Sequence, residues 1–194
     1  MIRNLTLSDA SFTNKDDEEY SSVGGFVGNI EATTSVTLEN CHLRTSHLDG
    51  GHYAGGLYGY GAAYSKEDDG PVATKITIKN CSVEKSTIES EGATGGIAGH
   101  ADGDKDTTVV VSDCRVEDNH IYCTKENVTD KAGSLFGTVH AGKVTVSNAA
   151  ISGNDVKSDG VSNDDKVYGR HLPGETGKFI LEGEEVKPAT EVIQ

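Results

Sequence analysis

Tryptophan is absent from the 194 residues, proline occurs three times and methionine once. The missing tryptophan removes the ring that sugar-binding platforms often use. No apolar run approaches the roughly eighteen residues of a membrane-spanning helix, so no membrane span is expected. The opening "MIRNLTLSDA" has no basic stretch leading into an apolar one and does not read as a signal peptide. Positive charge is also short, with 17 Lys and Arg against 31 Asp and Glu, a net charge of −14. Nucleic acid and anionic lipid would be repelled at long range and are excluded as partners. The 3.6-residue apolar period of a long helix is missing, and so are CxxC, GxSxG, HExxH and P-loop patterns.

What the chain has in quantity is glycine, 24 residues, and β-branched residues spread along its length. The glycines fall into four similar phrases: "VGGFVG" (23–28), "AGGLYGYG" (54–61), "TGGIAGH" (94–100) and "AGSLFGTVH" (132–140). A second phrase recurs with them, as "SVTLENCHLRTSHL" around Cys41, "KITIKNCSVEKSTI" around Cys81 and "VVVSDCRVEDNHI" around Cys114. A weaker copy surrounds Ala149, and the opening "RNLTLSDASFTNK" reads as a fifth, aligned on Ala10.

Read down these copies, apolar residues hold fixed columns. Leu5, Val36, Ile76, Val109 and Val144 form one. Leu7, Leu38, Ile78, Val111 and Val146 form a second, and Phe12, Leu43, Val83, Val116 and Ile151 a third. Each run alternates apolar with polar, as a strand buried on one face does. Before the reference position stand Asp9, Asn40, Asn80, Asp113 and Asn148, at a point where the inward parity slips. Asn and Asp tolerate left-handed dihedrals and bond to local backbone, so this column predicts a corner. In the glycine phrase, Phe26, Leu57, Ile97 and Leu135 are expected inside, and Val27, Tyr58, Ala98 and Phe136 outside.

Three short strands per copy, repeating every 31–40 residues, predict an all-β parallel β-helix of four to five coils stacked at about 4.8 Å. Right-handed winding is expected by analogy with crossover preference. Residues 1–156 read as the β-helix repeat domain. Residues 157–194 read as a degenerate coil, a capping hairpin at 178–186 with Gly183 in its turn, and a linker toward a further domain. In the first copy Asp17 falls where Leu48, Ile88, Ile121 and Val156 stand in the others, so 14–20 reads as a solvated loop.

The glycine phrases, each leading into a strand of the "ITIKNC" kind, resemble the GLUG motif of bacterial surface proteins. That motif occurs in adhesin-like proteins and in non-catalytic regions of IgA-cleaving metallopeptidases. The resemblance covers roughly residues 20–156 and departs at Ser134, which replaces the second glycine. It implies a bacterial cell-surface or secreted setting and a non-enzymatic role as stalk or adhesin.

Candidate ligand groups lie in the insertions that follow the glycine phrases, at equivalent points of adjacent coils. Asp68 and Asp69 in one, with Asp102, Asp104 and Asp106 in the next, offer hard oxygens to Ca²⁺. Solvated charge on an acidic chain is the plainer reading. No other cofactor is implied. Tyr53, Tyr58, Tyr60 and Tyr64 gather four of the seven tyrosines within twelve residues, an arrangement suited to a glycan or a host protein. Cys41, Cys81 and Cys114 share one inward column and read as buried free thiols, whereas Cys123, in an insertion, is expected to be more exposed. The histidines look scattered; His47 and His120 share an outward column, but Thr87 separates them. The alternative function is a polysaccharide lyase or hydrolase on the same scaffold. Its best candidates are Glu84 and Glu117, in one column beside Arg44, although a solvated face explains them more simply.

Overall fold

The computed structural model describes residues 1–15, 21–31, 35–62, 74–101, 107–126, 131–140, 142–172 and 178–186. Strands are the regular elements throughout, with no helix among the described residues. The chain is a parallel β-solenoid in which every pass stacks in register on the next. Val36, Ile76, Val109 and Val144 stand above one another, as do Leu38, Ile78, Val111 and Val146. The columns Leu43–Val83–Val116–Ile151 and Leu48–Ile88–Ile121–Val156 follow the same rule.

The third and fourth passes each carry five short strand segments, and in the second the first two are fused as Ser35–Arg44. The third pass shows them as Lys75–Lys79, Ser82–Glu84, Thr87–Ser90, Ala93–Gly95 and Ala98–Ala101. Three were expected, and the two additional breaks have separate causes. One is a second left-handed corner, made by Asp9, Thr45, Lys85, Asp118 and Gly153, with φ between 46 and 66°. The other is the glycine pair itself, which divides its phrase into two strands.

The first pass is registered differently from the sequence alignment. Leu5 lies beside Cys41, Leu7 beside Leu43 and Phe12 beside Leu48. Asn4 (φ 56°), not Asp9, therefore belongs to the corner column of Asn40, Asn80, Asp113 and Asn148, whose φ values run from 51 to 54°. Asp9 belongs to the second corner. The apolar position assigned to Asp17 is filled by Phe12. An offset of five residues preserves much of the apolar pattern, so alternation by itself could not distinguish the two alignments.

Side chains link these corners from pass to pass. The Asn40 amide donates to Asn4 Oδ1 at 2.9 Å, Asn80 to Asn40 Oδ1 at 3.2 Å, and Asn148 to Asp113 Oδ1 at 2.8 Å. Just after the second corner an inner ladder satisfies buried backbone donors. The N–H groups of Ala10, Ser46, Ser86 and Asn119 donate respectively to Ser46 Oγ, Ser86 Oγ, Asn119 Oδ1 and Asn154 Oδ1. Each costly buried N–H thus finds its acceptor on the following pass.

The core is the axial stack of inward residues, including Leu38, Leu43, Leu48, Ile76, Ile88, Val116 and Ile121, all fully buried. Each such side chain contributes about 1.5–3 kcal/mol by leaving water. The two ends differ. After Asp155–Ser158 the chain doubles back antiparallel through Val161–Ser162. Tyr168–Leu172 then rejoins the stack beside Phe136–His140. Lys178–Leu181 pairs parallel with Lys143–Ser147 and turns through Glu182 and Gly183 into Glu184–Val186, placing Phe179 in the core. At the first pass Leu5 and Phe12 remain partly exposed.

Candidate functional site

The glycine phrase serves packing, not phosphate. A Cβ at Gly56 would stand 2.2 Å from the Gly96 carbonyl oxygen, and one at Gly96 would stand 2.3 Å from that of Ser134. At this corner two successive N–H groups converge on one carbonyl, as Leu57 and Tyr58 do on Ile97 O, at 3.0 and 3.1 Å. The parity slip there carries both neighbouring columns inward. Leu57, Ile97 and Leu135 are buried as expected, but so are Tyr58, Ala98 and Phe136, which were expected outside. Ser134 is accommodated where the following pass is the irregular stretch 163–167, and its N–H donates to Lys166 O at 2.9 Å.

This corner reshapes the tyrosine group. Tyr58 is fully buried, its hydroxyl finds no partner among the described residues, and burial pushes its pKa up. Tyr60 is 1% exposed. An open aromatic platform containing both is therefore not formed, because each is covered. Tyr53 and Tyr60 do come together, with ring centroids 5.0 Å apart. His100 stacks on them at 5.0 and 5.3 Å, and His140 lies 6.4 Å further on. In-register pairing of Tyr60 with His100 and of Gly61 with Ala101 makes this stack. It stands at the roots of the two insertions that were expected to be neighbours. Tyr64, Asp68, Asp69, Asp102, Asp104 and Asp106 lie in those insertions, outside the described residues.

A second polar constellation occupies the outer surface of the strands His47–Gly50, Thr87–Ser90, His120–Cys123 and Asp155–Ser158. Their inward residues are Leu48, Ile88, Ile121 and Val156, so the residues on either side of each face out. His47, Thr87, His120 and Asp155 form one column, and Asp49, Glu89, Tyr122 and Lys157 the other. Lys15 Nζ lies 2.7 Å from Asp49 Oδ2, and His47 Nε2 donates to Glu89 Oε1 at 2.8 Å. A groove of about 190 Å³ beside them is lined by Lys15, Asp49, His52, Glu89, Glu91 and Thr124.

Further along this face, the Tyr122 hydroxyl donates to Asp155 Oδ2 at 2.6 Å, and Lys157 reaches both oxygens of the same carboxylate. Burial and the bond to Asp155 push the Tyr122 hydroxyl up to about 12. The Lys157 ammonium, followed by Tyr122, holds the Asp155 carboxyl below its usual range. Thr87 separates His47 from His120 as expected. What the sequence reading missed is that His47 meets Asp49 and Glu89. Reading the outward columns of these strands as the inward ones were read would have found the group.

The remaining candidates are accounted for by simple contacts. Glu84 pairs in register with Arg44 and Glu117, and Arg44 Nε lies 3.8 Å from Glu84 Oε2. Each acid sits in its own ion pair, since Glu117 Oε2 lies 3.7 Å from Arg115 Nε. Cys41, Cys81 and Cys114 are buried free thiols, and burial pushes the Cys41 thiol up. Cys123, expected to be more exposed, is also buried, because it ends a strand whose side chains alternate into the core and bonds to Gly92 O at 3.0 Å.

The fold and its columns define the class, a parallel β-solenoid of in-register repeats. No protein-family model matches the chain, and no curated protein matches its sequence. Among solved structures, the chain is similar to a crystal structure from Bacteroides ovatus, described as a candidate immunoglobulin A1 protease. The two share 15% identity with a TM-score of 0.45, over 96% of this chain. The match spans 62% of that protein's chain. No helix is long and apolar enough to cross a membrane among the described residues.

Proposed function

We propose that this chain is a non-enzymatic module of a bacterial surface or secreted protein, a rigid solenoid that displays insertions to a glycan or protein ligand. The observation that carries this reading is the in-register pairing of the two insertion-bearing strands, Tyr58–Ala62 and Ala98–Ala101. It holds the roots of 63–73 and 102–106 side by side over a stacked aromatic base. Loops fixed on a stiff scaffold are where recognition commonly resides. The negative net charge favours neutral or basic ligands over acidic ones.

A glycan array, run alongside a reducing-sugar assay on common polysaccharides, tests the proposal. Binding that is lost when 63–73 is replaced by a short Gly-Ser linker, with no sugar released, is the expected result. Release of reducing ends would replace it with the lyase or hydrolase reading.

A further inference from the structure

We propose that His47, Asp49 and Glu89 form a binding site for a borderline divalent metal ion, of which Zn²⁺ is the representative. The register places Asp49 directly beside Glu89 on neighbouring parallel strands, which are separated by about 4.8 Å. Two carboxylates so placed repel each other and weaken the pairing. The fold keeps them and answers each with a cationic or donating group. Lys15 answers Asp49, and His47 answers Glu89. Lys15 supplies a cation on the Asp49 side, and a metal ion bridging the two carboxylates would take its place.

The three groups are also close enough for one metal ion to gather them. One ligand atom from each of the three residues lies within 4.8 Å of the other two. A tetrahedral zinc with ligands at about 2.1 Å needs edges of roughly 3.4 Å, which small side-chain rotations reach. His47 and Asp49 project from one strand two residues apart, and Leu48 between them is locked in the core, as is Ile88 beside it. The scaffold therefore fixes both Cα positions while the side chains remain accessible, at 47% exposure for His47 and 15% for Asp49.

An imidazole with two carboxylates matches zinc, whereas Ca²⁺ takes six to eight oxygens. To ligate the ion, Nε2 must be bare: an imidazolium releases its Nε2 proton to solvent, and a neutral ring carries its single proton on Nδ1 instead. Three protein ligands leave a fourth position open on the groove side. The inference is independent of the surface-display reading, because it concerns a different face of the scaffold.

The test is calorimetric titration of ZnCl₂ into the whole chain, followed by imidazole-proton NMR. One ion per chain is expected, with the His47 ring signals shifting most among the seven histidines. His47→Ala and Glu89→Gln should each weaken binding tenfold or more. Lys15→Met should tighten it several-fold, since the competing cation is gone, and misfolding cannot mimic that gain. A hundredfold excess of CaCl₂ should not displace the zinc. Unchanged affinity in His47→Ala, or weaker binding in Lys15→Met, overturns the proposal.

Discussion

The solenoid turns its corners by two unlike devices. At the glycine corner the constraint is space, because adjacent passes approach until a Cβ would stand 2.2–2.4 Å from the neighbouring carbonyl oxygen at Gly25, Gly56 and Gly96. At the left-handed corners the constraint is a dihedral angle, φ of 46–66°, which a side chain can adopt at some cost and can then exploit. Steric exclusion yields a nearly invariant column. A dihedral preference yields a graded one, with Asn and Asp at one corner and Asp, Thr, Lys, Asp and Gly at the other. Repetition of a residue therefore measures how absolute its constraint is, not how important its corner is.

That contrast can be broken most forcefully at Gly96. Gly96→Ala drives a methyl into the Ser134 carbonyl and Val116, and a loss of about 3 kcal/mol is expected in urea unfolding. Next comes the inner ladder beside the second corner. Asn119→Ala strips the acceptor from Ser86 N–H and the donor from Val83 O, both buried, and should cost about 2 kcal/mol. Asn80→Ala should cost about 1–2 kcal/mol, while Asn80→Gly costs less, because glycine keeps the φ of 52° and loses only the ladder bonds. Equal losses in the two variants would mean that the ladder, not the dihedral, holds that corner.

Two substitutions should raise stability. Tyr58→Phe removes a buried hydroxyl that has no partner among the described residues and is expected to gain about 1 kcal/mol in the same assay. Lys85→Gly relieves a non-glycine residue at φ 51° on the exposed second corner. Its expected gain is about 0.5 kcal/mol, read as a small rise in Tm.

The same contrast explains what was legible in the sequence. The inward columns that could be read directly in the second to fifth copies are those apolar in every pass, such as Leu38–Ile78–Val111–Val146 and Leu48–Ile88–Ile121–Val156. The buried column Gly50–Ser90–Cys123–Ser158 mixes residue types and was not. The Asn corner and the need for small residues in the glycine phrase could be read as well. The second corner was not legible, since a column running Asp9, Thr45, Lys85, Asp118, Gly153 shares a backbone angle and no chemistry. The first copy slipped by five residues because Ala10 and Phe12 imitate Cys41 and Leu43 while standing beside Ser46 and Leu48. Tyr58 was placed outside because strict alternation does not foresee a corner that turns two consecutive residues inward. At the candidate sites, the pairing of the strands that lead into the insertions followed from the repeat. The meeting of His47 with Glu89 needed the outward register, which becomes visible only when polar columns are read down as carefully as apolar ones.

The central claim is that like positions of successive copies lie side by side in one continuous parallel stack. Interstrand nuclear Overhauser effects from Val109 test it most directly, since that strand is flanked on both sides. Backbone contacts from Val109 to both Ile76 and Val144 are the predicted result. Contacts to residues of any other column, or a flanking strand that runs antiparallel, would contradict the account.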